Sequence, residues 1–362
     1  MPRDRRIAQR GRQRRVPDCA VQGLNGETST ARHAMNNGHA LPVFARGFGR
    51  VTLALRTSLS VGANVGGTLD ASAEPMRWSG ACLRDGYEVR YRRNLDDLGY
   101  RDVPMRGTRS DALNAVCHLR GLFSDEAVDA LREIGRVLER SASSSNWIIS
   151  KRVRAVTNRS RFIDDMMHDR AFLLRVSRLA GVPLIPYPMA NARSQFNYYY
   201  PTDQRGGKAQ LGMWHTDGTS FVLNIVLSDR ADYAGGNFLF YESRAEAFDR
   251  HGPERRHVRT ANLDVAGDAL LIYGSKLFHG VEPVEAGRRM SLVLSFHCPY
   301  TREDDNGFWH LASDDGIART VVNWLALRRA LRDDAELQYR RLGIEPIRPD
   351  DLGDQRLAPA TF

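Results

Sequence analysis

A histidine and an aspartate stand two positions apart in the run Trp214-His215-Thr216-Asp217. Residues two apart on a strand, or at its end, point the same way, so this imidazole and carboxylate can take adjacent positions on one metal ion. A third ligand has to come from elsewhere, and His279 is the best candidate. Two histidines and one carboxylate leave three coordination positions open, which suits non-haem Fe(II) enzymes that bind a cosubstrate and O₂.

A strand, a turn and a returning strand are predicted after the third ligand. The strand covers His279–Val284, the turn lies at Glu285–Gly287, and the returning strand brings Arg289 beside the metal. Arg289 and Ser291 share one face of that strand. A guanidinium can hold a distal carboxylate in a bidentate pair, and a hydroxyl adds one hydrogen bond. The alternative is that Arg289 pairs with a surface acid and Ser291 is simply part of the sheet.

These motifs resemble those of the 2-oxoglutarate- and Fe(II)-dependent oxygenases over residues 190–300. The matching pieces are His215-x-Asp217, Gly235-Gly236-x-Phe238, His279 and Arg289-x-Ser291. The resemblance implies a mainly β core, a double-stranded β-helix of the jelly-roll type, with flanking α-helices on its N- and C-terminal sides. It further implies Fe(II), 2-oxoglutarate as cosubstrate, and O₂.

The run Asn197-Tyr198-Tyr199-Tyr200-Pro201 resembles an Asn-x-Tyr-Pro element found in part of that superfamily. There the tyrosine before the proline contacts the cosubstrate, which here is Tyr200. Tyr198 has the same strand parity and is the alternative. Either tyrosine could instead pack in the core.

The resemblance also indicates the reaction. His215, Asp217 and His279 would bind iron, while Arg289 and Ser291 would hold the C5 carboxylate of 2-oxoglutarate. Conversion of 2-oxoglutarate to succinate and CO₂ would then drive hydroxylation of a C–H bond. The predicted substrate is a small molecule such as an amino acid or natural-product intermediate. The alternative is a prolyl-hydroxylase-like oxygenase that acts on a protein side chain.

Two positions narrow this prediction within the superfamily. Related halogenases replace the carboxylate ligand with Gly or Ala, so Asp217 argues against halogenation. Nucleic-acid demethylases carry a second arginine where this chain has Ser295, which argues against that branch.

Three further residues are candidates for substrate contacts, each with a structural alternative. Trp214 either forms a wall of the pocket or packs in the core. Asn197 is either a polar pocket residue or a strand-end cap. His297 shares strand parity with Arg289 and either faces the pocket or is structural.

The elements that position these residues follow from periodicity. Ser124 is predicted to cap a helix whose buried stripe contains Val128, Leu131, Ile134 and Leu138. A second helix is predicted from Arg161 to Ala180, ending at Gly181. Short strands are then predicted at Ser194–Tyr200, Thr219–Leu227, Asn237–Tyr241, Asp268–Tyr273 and Met290–Cys298. Short strands without intervening helices predict a barrel or a two-sheet jelly roll.

The predicted layout has four parts. A disordered basic tail covers 1–80, with order beginning near Cys82–Tyr91, and a helical support region covers 81–190. The catalytic jelly roll covers 191–300 and a C-terminal helical extension covers 301–362. The first 50 residues hold ten arginines and only three acidic residues, so most of the net charge of +9 belongs to the tail. Because this basic segment has only two aromatic residues, Phe44 and Phe48, nucleic-acid binding is disfavoured.

Composition sets the remaining expectations. Four cysteines occur without C-x-x-C pairing, which argues against a disulfide framework or structural zinc site and fits a reducing compartment. No run has the length of a transmembrane helix, and the Arg-rich start lacks the apolar core of a secretory signal. The predicted location is therefore cytoplasmic, without membrane contact. The sequence contains no signal for an oligomeric state.

Overall fold

An antiparallel sheet of eight strands carries Arg289 and Ser291, two residues of the candidate site. The computed structural model describes residues 74–101, 110–144, 151–201, 214–248, 255–300 and most of 321–353, all within one compact unit. The strands are β1 (Glu88–Asn94), β2 (Asn114–Arg120), β3 (Lys151–Arg154), β4 (Ile185–Pro186), β5 (Ser194–Tyr199), β6 (Phe221–Val226), β7 (Tyr233–Gly235), β8 (Phe238–Tyr241), β9 (Val258–Ala261), β10 (Ala269–Tyr273), β11 (His279–Val281), β12 (Val284–Gly287) and β13 (Arg289–His297). The helices are α1 (Asp125–Leu138), α2 (Arg161–His168), α3 (Arg170–Ala180), α4 (Ala190–Arg193) and α5 (Ala335–Arg341).

The strands form a jelly roll, which confirms the predicted fold class. The larger sheet, here the major sheet, has the order β1-β2-β10-β6-β13-β5-β3, with β4 paired to β13. The minor sheet is β11-β8-β9, and β12 pairs with β7. Among the described residues all strand pairs are antiparallel, and no closed barrel forms.

Strand β13 has one face toward the helices and the other toward the minor sheet. Met290 lies against Gly135 of α1, and the ring of Phe296 lies 6.2 Å from that of Phe172 in α3. Because side chains alternate along a strand, Arg289 and every second residue after it point away from the helices. We call this side of the major sheet the site face.

Helix α1 forms as the sequence predicts. The Ser124 side chain accepts a hydrogen bond from the backbone N–H of Ala127, and two acids occupy the first turn. Its apolar stripe is buried, and at Gly135 the sheet approaches so closely that an added Cβ would lie 2.7 Å from Met290 Sδ. Glycine therefore sets the distance between this helix and β13.

The single helix expected from Arg161 to Ala180 is two helices. Asp169 leaves the helical conformation, with ψ of 121°, and its carboxylate accepts hydrogen bonds from Ala171 and Phe172 to begin α3. A capping carboxylate favours a new helix start over a continuous helix. Gly181, with φ of +85°, ends α3 as predicted.

The N-terminal region differs from the predicted layout in two ways. Order begins before Cys82, because Trp78 is already buried against Phe162 and Phe172 and donates a hydrogen bond to Asp169. The region 81–190 contributes strands β1 to β4 to the major sheet as well as helices. Residues 1–73 of the predicted tail lie outside the described residues.

One other expectation changed. The predicted turn at Glu285–Gly287 lies inside β12, and Gly287, with φ of +72°, leads into β13. An added Cβ at Gly287 would lie 2.0 Å from the carbonyl oxygen of Asp232, so only glycine fits there. In the C-terminal extension, α5 is helical as expected, and 301–320 lie outside the described residues. Among the described residues, none of the helices has the length and apolarity needed to cross a membrane.

Candidate metal and cosubstrate site

His215, Asp217 and His279 come together as one cluster of metal-ligating side chains. Each offers one ligand atom, and these three atoms lie within 4.8 Å of one another. Asp217 lies between the two histidines: its carboxylate oxygens are 3.5 Å from His215 Nε2 and 3.6 Å from His279 Nε2. The three side chains are therefore close enough to share one ion.

Backbone contacts hold the two histidines at this separation. His215 and His279 form an isolated antiparallel bridge, with N–H···O distances of 2.8 and 2.9 Å in the two directions. The ring centroids are consequently only 4.4 Å apart. Of the two histidines, His279 thus lies on β11 of the minor sheet and His215 lies on the segment paired with it.

Asp217 is fixed by the end of β10. Its backbone N–H donates to the carbonyl oxygen of Gly274 at 2.8 Å. A Cβ at Gly274 would lie 2.6 Å from Asp217 Oδ2, closer than real Cβ contacts allow. The absence of a side chain at position 274 is what admits the carboxylate.

His279 has the surroundings of a neutral metal ligand. Its Nδ1 lies 2.9 Å from the Leu277 carbonyl oxygen, which orients Nε2 toward Asp217. The Phe238 ring stacks on it at 5.4 Å and 13°. Burial lowers the pKa of His279 to about 4, and the nearby Asp217 opposes this shift only in part. The imidazole is therefore unprotonated near pH 7, as metal ligation requires.

Arg289 is fully buried, and in the part of the chain that the structure describes none of its three guanidinium nitrogens has a hydrogen-bond partner. The Tyr199 ring lies beneath the guanidinium, with its centroid 5.0 Å from Cζ. A Cβ at Gly236 would lie 3.3 Å from Arg289 Cδ, so this glycine makes room for the arginine stem. The predicted alternative, a surface ion pair for Arg289, does not occur. A buried, unpaired cation is costly unless an anion binds it.

Ser291 and Asn197 extend this polar patch. They are register partners on β13 and β5, and both are buried. Among the described residues, Ser291 Oγ and Asn197 Oδ1 have no hydrogen-bond partner. The Ser291 hydroxyl beside an unsatisfied guanidinium fits a carboxylate end of a bound molecule, whereas Asn197 Oδ1 is an acceptor and needs a donor.

The two predicted tyrosine contacts point away from this patch. The Tyr198 hydroxyl donates to the Gly135 carbonyl oxygen at 2.6 Å, and the Tyr200 hydroxyl donates to Glu139. Both contacts are with α1 and its end, on the helix side of the sheet. Tyr199, the direct partner of Arg289 in the register, lies on the site face instead. Of the three consecutive tyrosines, Tyr199 and neither Tyr198 nor Tyr200 therefore shares the face of Arg289.

The sequence contained a signal for Tyr199. Asn197 was a candidate pocket residue, and the residue two positions further on a strand shares its face. That residue is Tyr199. Asn197 therefore predicted which tyrosine faces the site better than Pro201 did.

Trp214 does not form a wall of the site. Its ring stacks on Phe278 at 5.9 Å and 18°, and it also contacts Phe248. Trp214 and Phe278 each precede a histidine of the cluster, so alternation directs them to the opposite side of the minor sheet. They pack behind the ligands and hold the two backbones together.

Comparisons with known proteins found likenesses in structure alone. No family model and no curated protein matches the chain. Similar solved structures include the non-haem alpha-ketoglutarate-dependent carbocyclase SnoK from nogalamycin biosynthesis, with 17% identity, 51% of this chain and 80% of that chain covered, and a TM-score of 0.37. HygX from Streptomyces hygroscopicus, with nickel, 2-oxoglutarate and hygromycin B bound, has 14% identity, 52% and 84% coverage and a TM-score of 0.41. EctD from S. alaskensis, with bound Fe, has 15% identity, 61% and 88% coverage and a TM-score of 0.40. At this level of similarity the function has to be argued from the side chains.

Proposed function

We propose that the chain is an Fe(II)- and 2-oxoglutarate-dependent dioxygenase that hydroxylates a C–H bond of a small molecule. The observation that carries this proposal is the fully buried, unpaired guanidinium of Arg289 in the same jelly roll as a histidine-aspartate-histidine cluster. The cluster supplies the donors that Fe(II) takes in such enzymes. The guanidinium supplies a positive charge that can pair with one carboxylate of a dicarboxylate.

In this proposal one group of residues binds the metal and a second group binds the cosubstrate carboxylate. His215, Asp217 and His279 would hold the iron, and their three ligand atoms leave the remaining positions open. Arg289 and Ser291 would bind the distal carboxylate of 2-oxoglutarate, with the Tyr199 ring supporting the guanidinium. Iron, 2-oxoglutarate and O₂ together supply the oxidising chemistry.

The connection between the two ends runs through the short segment that leads into β8. Gly236 lies against the stem of Arg289, and Phe238, two residues later, stacks on His279. Two residues of chain span at most about 7 Å. A five-carbon dicarboxylate is of suitable length to extend from Arg289 toward the metal cluster.

The test is Fe(II)-dependent conversion of 2-oxoglutarate to succinate. The wild-type chain should form succinate under O₂, and His215→Ala and Asp217→Ala should each lower the rate by at least about a hundredfold. His168→Gln, on α2 and outside the cluster, is the matched control and should retain the wild-type rate. If both ligand variants convert 2-oxoglutarate as fast as wild type, the proposal is wrong.

The substrate class is tested in the same assay. Free amino acids and other metabolites, and in parallel a set of proline-containing peptides, are added and succinate release is compared with the rate in their absence. Stimulation by metabolites supports a small-molecule hydroxylase. Stimulation by peptides alone, with oxygen gained by the peptide, would support the alternative of a protein side chain.

A further inference from the structure

A small cavity lies on the helix side of the major sheet, between α1 and the start of β13. Its volume is about 130 Å³. Sites for organic ligands usually have volumes of about 300–1,000 Å³. The charged residues of its lining are three arginines and one acid, Arg132, Arg136, Arg288 and Asp232. The cavity therefore has room for a small ion, and its lining has an excess of positive charge.

The three arginines reach the cavity from two elements. Arg132 and Arg136 lie one turn apart on α1, where side chains of like charge repel each other. Arg288 directly precedes β13 and comes from the sheet. The fold thus holds three guanidinium groups around one small cavity, and an anion bound there would offset their mutual repulsion.

Two of these arginines use only part of their donor capacity in the contacts that the structure describes. Arg136 Nη1 lies 3.4 Å from Glu133 on the same helix, and this pair is about half exposed. Arg288 contacts Glu139 through Nη1. A guanidinium has several N–H donors in a planar fork, so both arginines keep donors for an oxyanion.

Asp232 restricts which anion fits. Its Oδ2 accepts a hydrogen bond from the Asp229 backbone N–H at 3.3 Å and lies 4.0 Å from Arg132 Nη2. A carboxylate repels an anion unless the anion has a proton that it can donate to the carboxylate. Near neutral pH inorganic phosphate has at least one P–OH group, whereas sulfate has none. The arginines together with Asp232 therefore favour phosphate over sulfate.

We propose that this cavity binds inorganic phosphate, with the three arginines around the anion and Asp232 accepting a hydrogen bond from its P–OH group. The cavity is distinct from the metal and cosubstrate site. Met290, which lines it, lies on the helix side of β13, and Arg289 lies on the site face. The proposal does not depend on the proposed function.

Calorimetry on the full-length chain tests the choice of anion, with chloride used to keep the ionic strength constant. We expect phosphate to bind with a Kd on the order of 1 mM. Sulfate should bind at least about tenfold more weakly, because it has no proton for Asp232. In Asp232→Asn, whose amide can donate to either anion, the preference for phosphate should be lost. Equal affinities of the wild-type chain for the two anions would overturn the proposal.

Matched variants locate the bound anion. Arg136→Gln should raise the Kd for phosphate about tenfold, because a charge-assisted hydrogen bond is lost. Arg161→Gln is the control, since Arg161 is also an exposed helix residue that pairs with an acid one turn away. Its phosphate affinity should be that of wild type, and the two variants should unfold at the same temperature without phosphate. Equal phosphate affinity in Arg136→Gln and the control would refute the site.

Arg289 is a second cation that could attract phosphate, so Arg289→Gln is measured as well. This variant should bind phosphate with the wild-type affinity, because its position is on the other face of β13. Loss of binding in Arg289→Gln together with normal binding in Arg136→Gln would place the anion at the cosubstrate end and would refute the proposal.

Glycerol 3-phosphate separates the free ion from a phosphorylated molecule. At about pH 8 the phosphoryl group of such an ester is a dianion without P–OH, whereas inorganic phosphate keeps one. The ester should therefore bind at least about tenfold more weakly than phosphate. Equal binding of the ester would show that the assignment to the free ion is wrong. Since these measurements involve neither metal nor 2-oxoglutarate, their failure would leave the oxygenase proposal intact.

Discussion

Arg289 is a charged side chain that the fold buries without a partner. The three guanidinium nitrogens are unsatisfied, and the contact described for the group is the face of Tyr199. A cation–π contact offsets only part of the cost of removing a cation from water. The ligand-free chain is therefore less stable than it could be, and the binding of an anion recovers the difference.

This predicts opposite effects on stability and binding. Arg289→Gln should raise the unfolding temperature of the ligand-free chain, because a buried charge is removed. The same change should weaken 2-oxoglutarate binding at least about tenfold, since charged hydrogen bonds of about 1.5–3 kcal/mol are lost. Thermal unfolding with and without 2-oxoglutarate measures both. Arg289→Lys, which keeps the charge without the bidentate geometry, should bind with intermediate affinity. Unchanged affinity in both variants would contradict the role of Arg289.

From the contact between Gly274 and Asp217 we predict that a substitution at Gly274 lowers the affinity for the metal. In Gly274→Ala the new methyl would meet Asp217 Oδ2 at 2.6 Å and displace the carboxylate. Mn(II) affinity, measured by electron paramagnetic resonance titration, should fall about tenfold to a hundredfold. Gly80→Ala is the matched control because nothing lies within 4 Å of its added Cβ. If Gly274→Ala bound Mn(II) as tightly as the control, the carboxylate would not depend on this contact.

The clustering of His215, Asp217 and His279 could be predicted from the sequence, and most of the contacts around them could not. His215 and Asp217 are two apart, so any extended backbone brings them together, and His279 follows a recognisable strand. Tyr199 was missed because Pro201, and not Asn197, was used to choose among three consecutive tyrosines. The role of Gly274 depends on a tertiary contact with Asp217, which no local pattern indicates.

At the level of elements, a half-buried contact lies on the helix side of the sheet, next to the Arg289–Tyr199 pair. The Glu139 carboxylate accepts hydrogen bonds from the Tyr200 hydroxyl and from Arg288 Nη1. Burial and the bond to Glu139 raise the pKa of Tyr200 to about 12, so the hydroxyl keeps its proton. Glu139 thus joins the end of β5 to the start of β13, the two strands that carry the cosubstrate end of the pocket.

Loosening this contact should weaken cosubstrate binding without affecting the metal. We expect Glu139→Ala to raise the Kd for 2-oxoglutarate about threefold to tenfold, because Arg289 loses part of its fixed position. Mn(II) affinity should stay at the wild-type value. Glu133→Gln, on the exposed face of α1, is the control. Equal losses of metal and 2-oxoglutarate affinity would indicate a general loss of structure instead.

Element types were easier to predict than element ends. The amphipathic stripe of α1 and its Ser124 cap appear directly in the sequence, and the structure has both. The break at Asp169 was missed because the apolar spacing continues through it. Strand β1 was missed because three of its seven residues are arginines, and its pairing with β2 depends on residues far along the chain.

At the level of the whole molecule, the jelly roll was predicted from short strands separated by turn residues. The added strands β1 and β2 extend the major sheet beyond β10, which the sequence did not indicate. Tyr91 of β1 contacts Phe240 of β8 at 5.6 Å, and its hydroxyl donates to Glu242. These contacts tie the N-terminal region to the minor sheet, and strands β1 to β4 of the 81–190 region belong to the major sheet.

The backbone bridge between His215 and His279 gives the two amides a further property. Each amide proton is held by the other ligand's carbonyl, so the protons exchange with solvent only when the ligand segments separate. An ion bound by both side chains opposes that separation. Hydrogen exchange at these two amides should therefore slow when Mn(II) is added, while exchange in α1 stays the same. The two amides would report metal occupancy in the absence of any turnover.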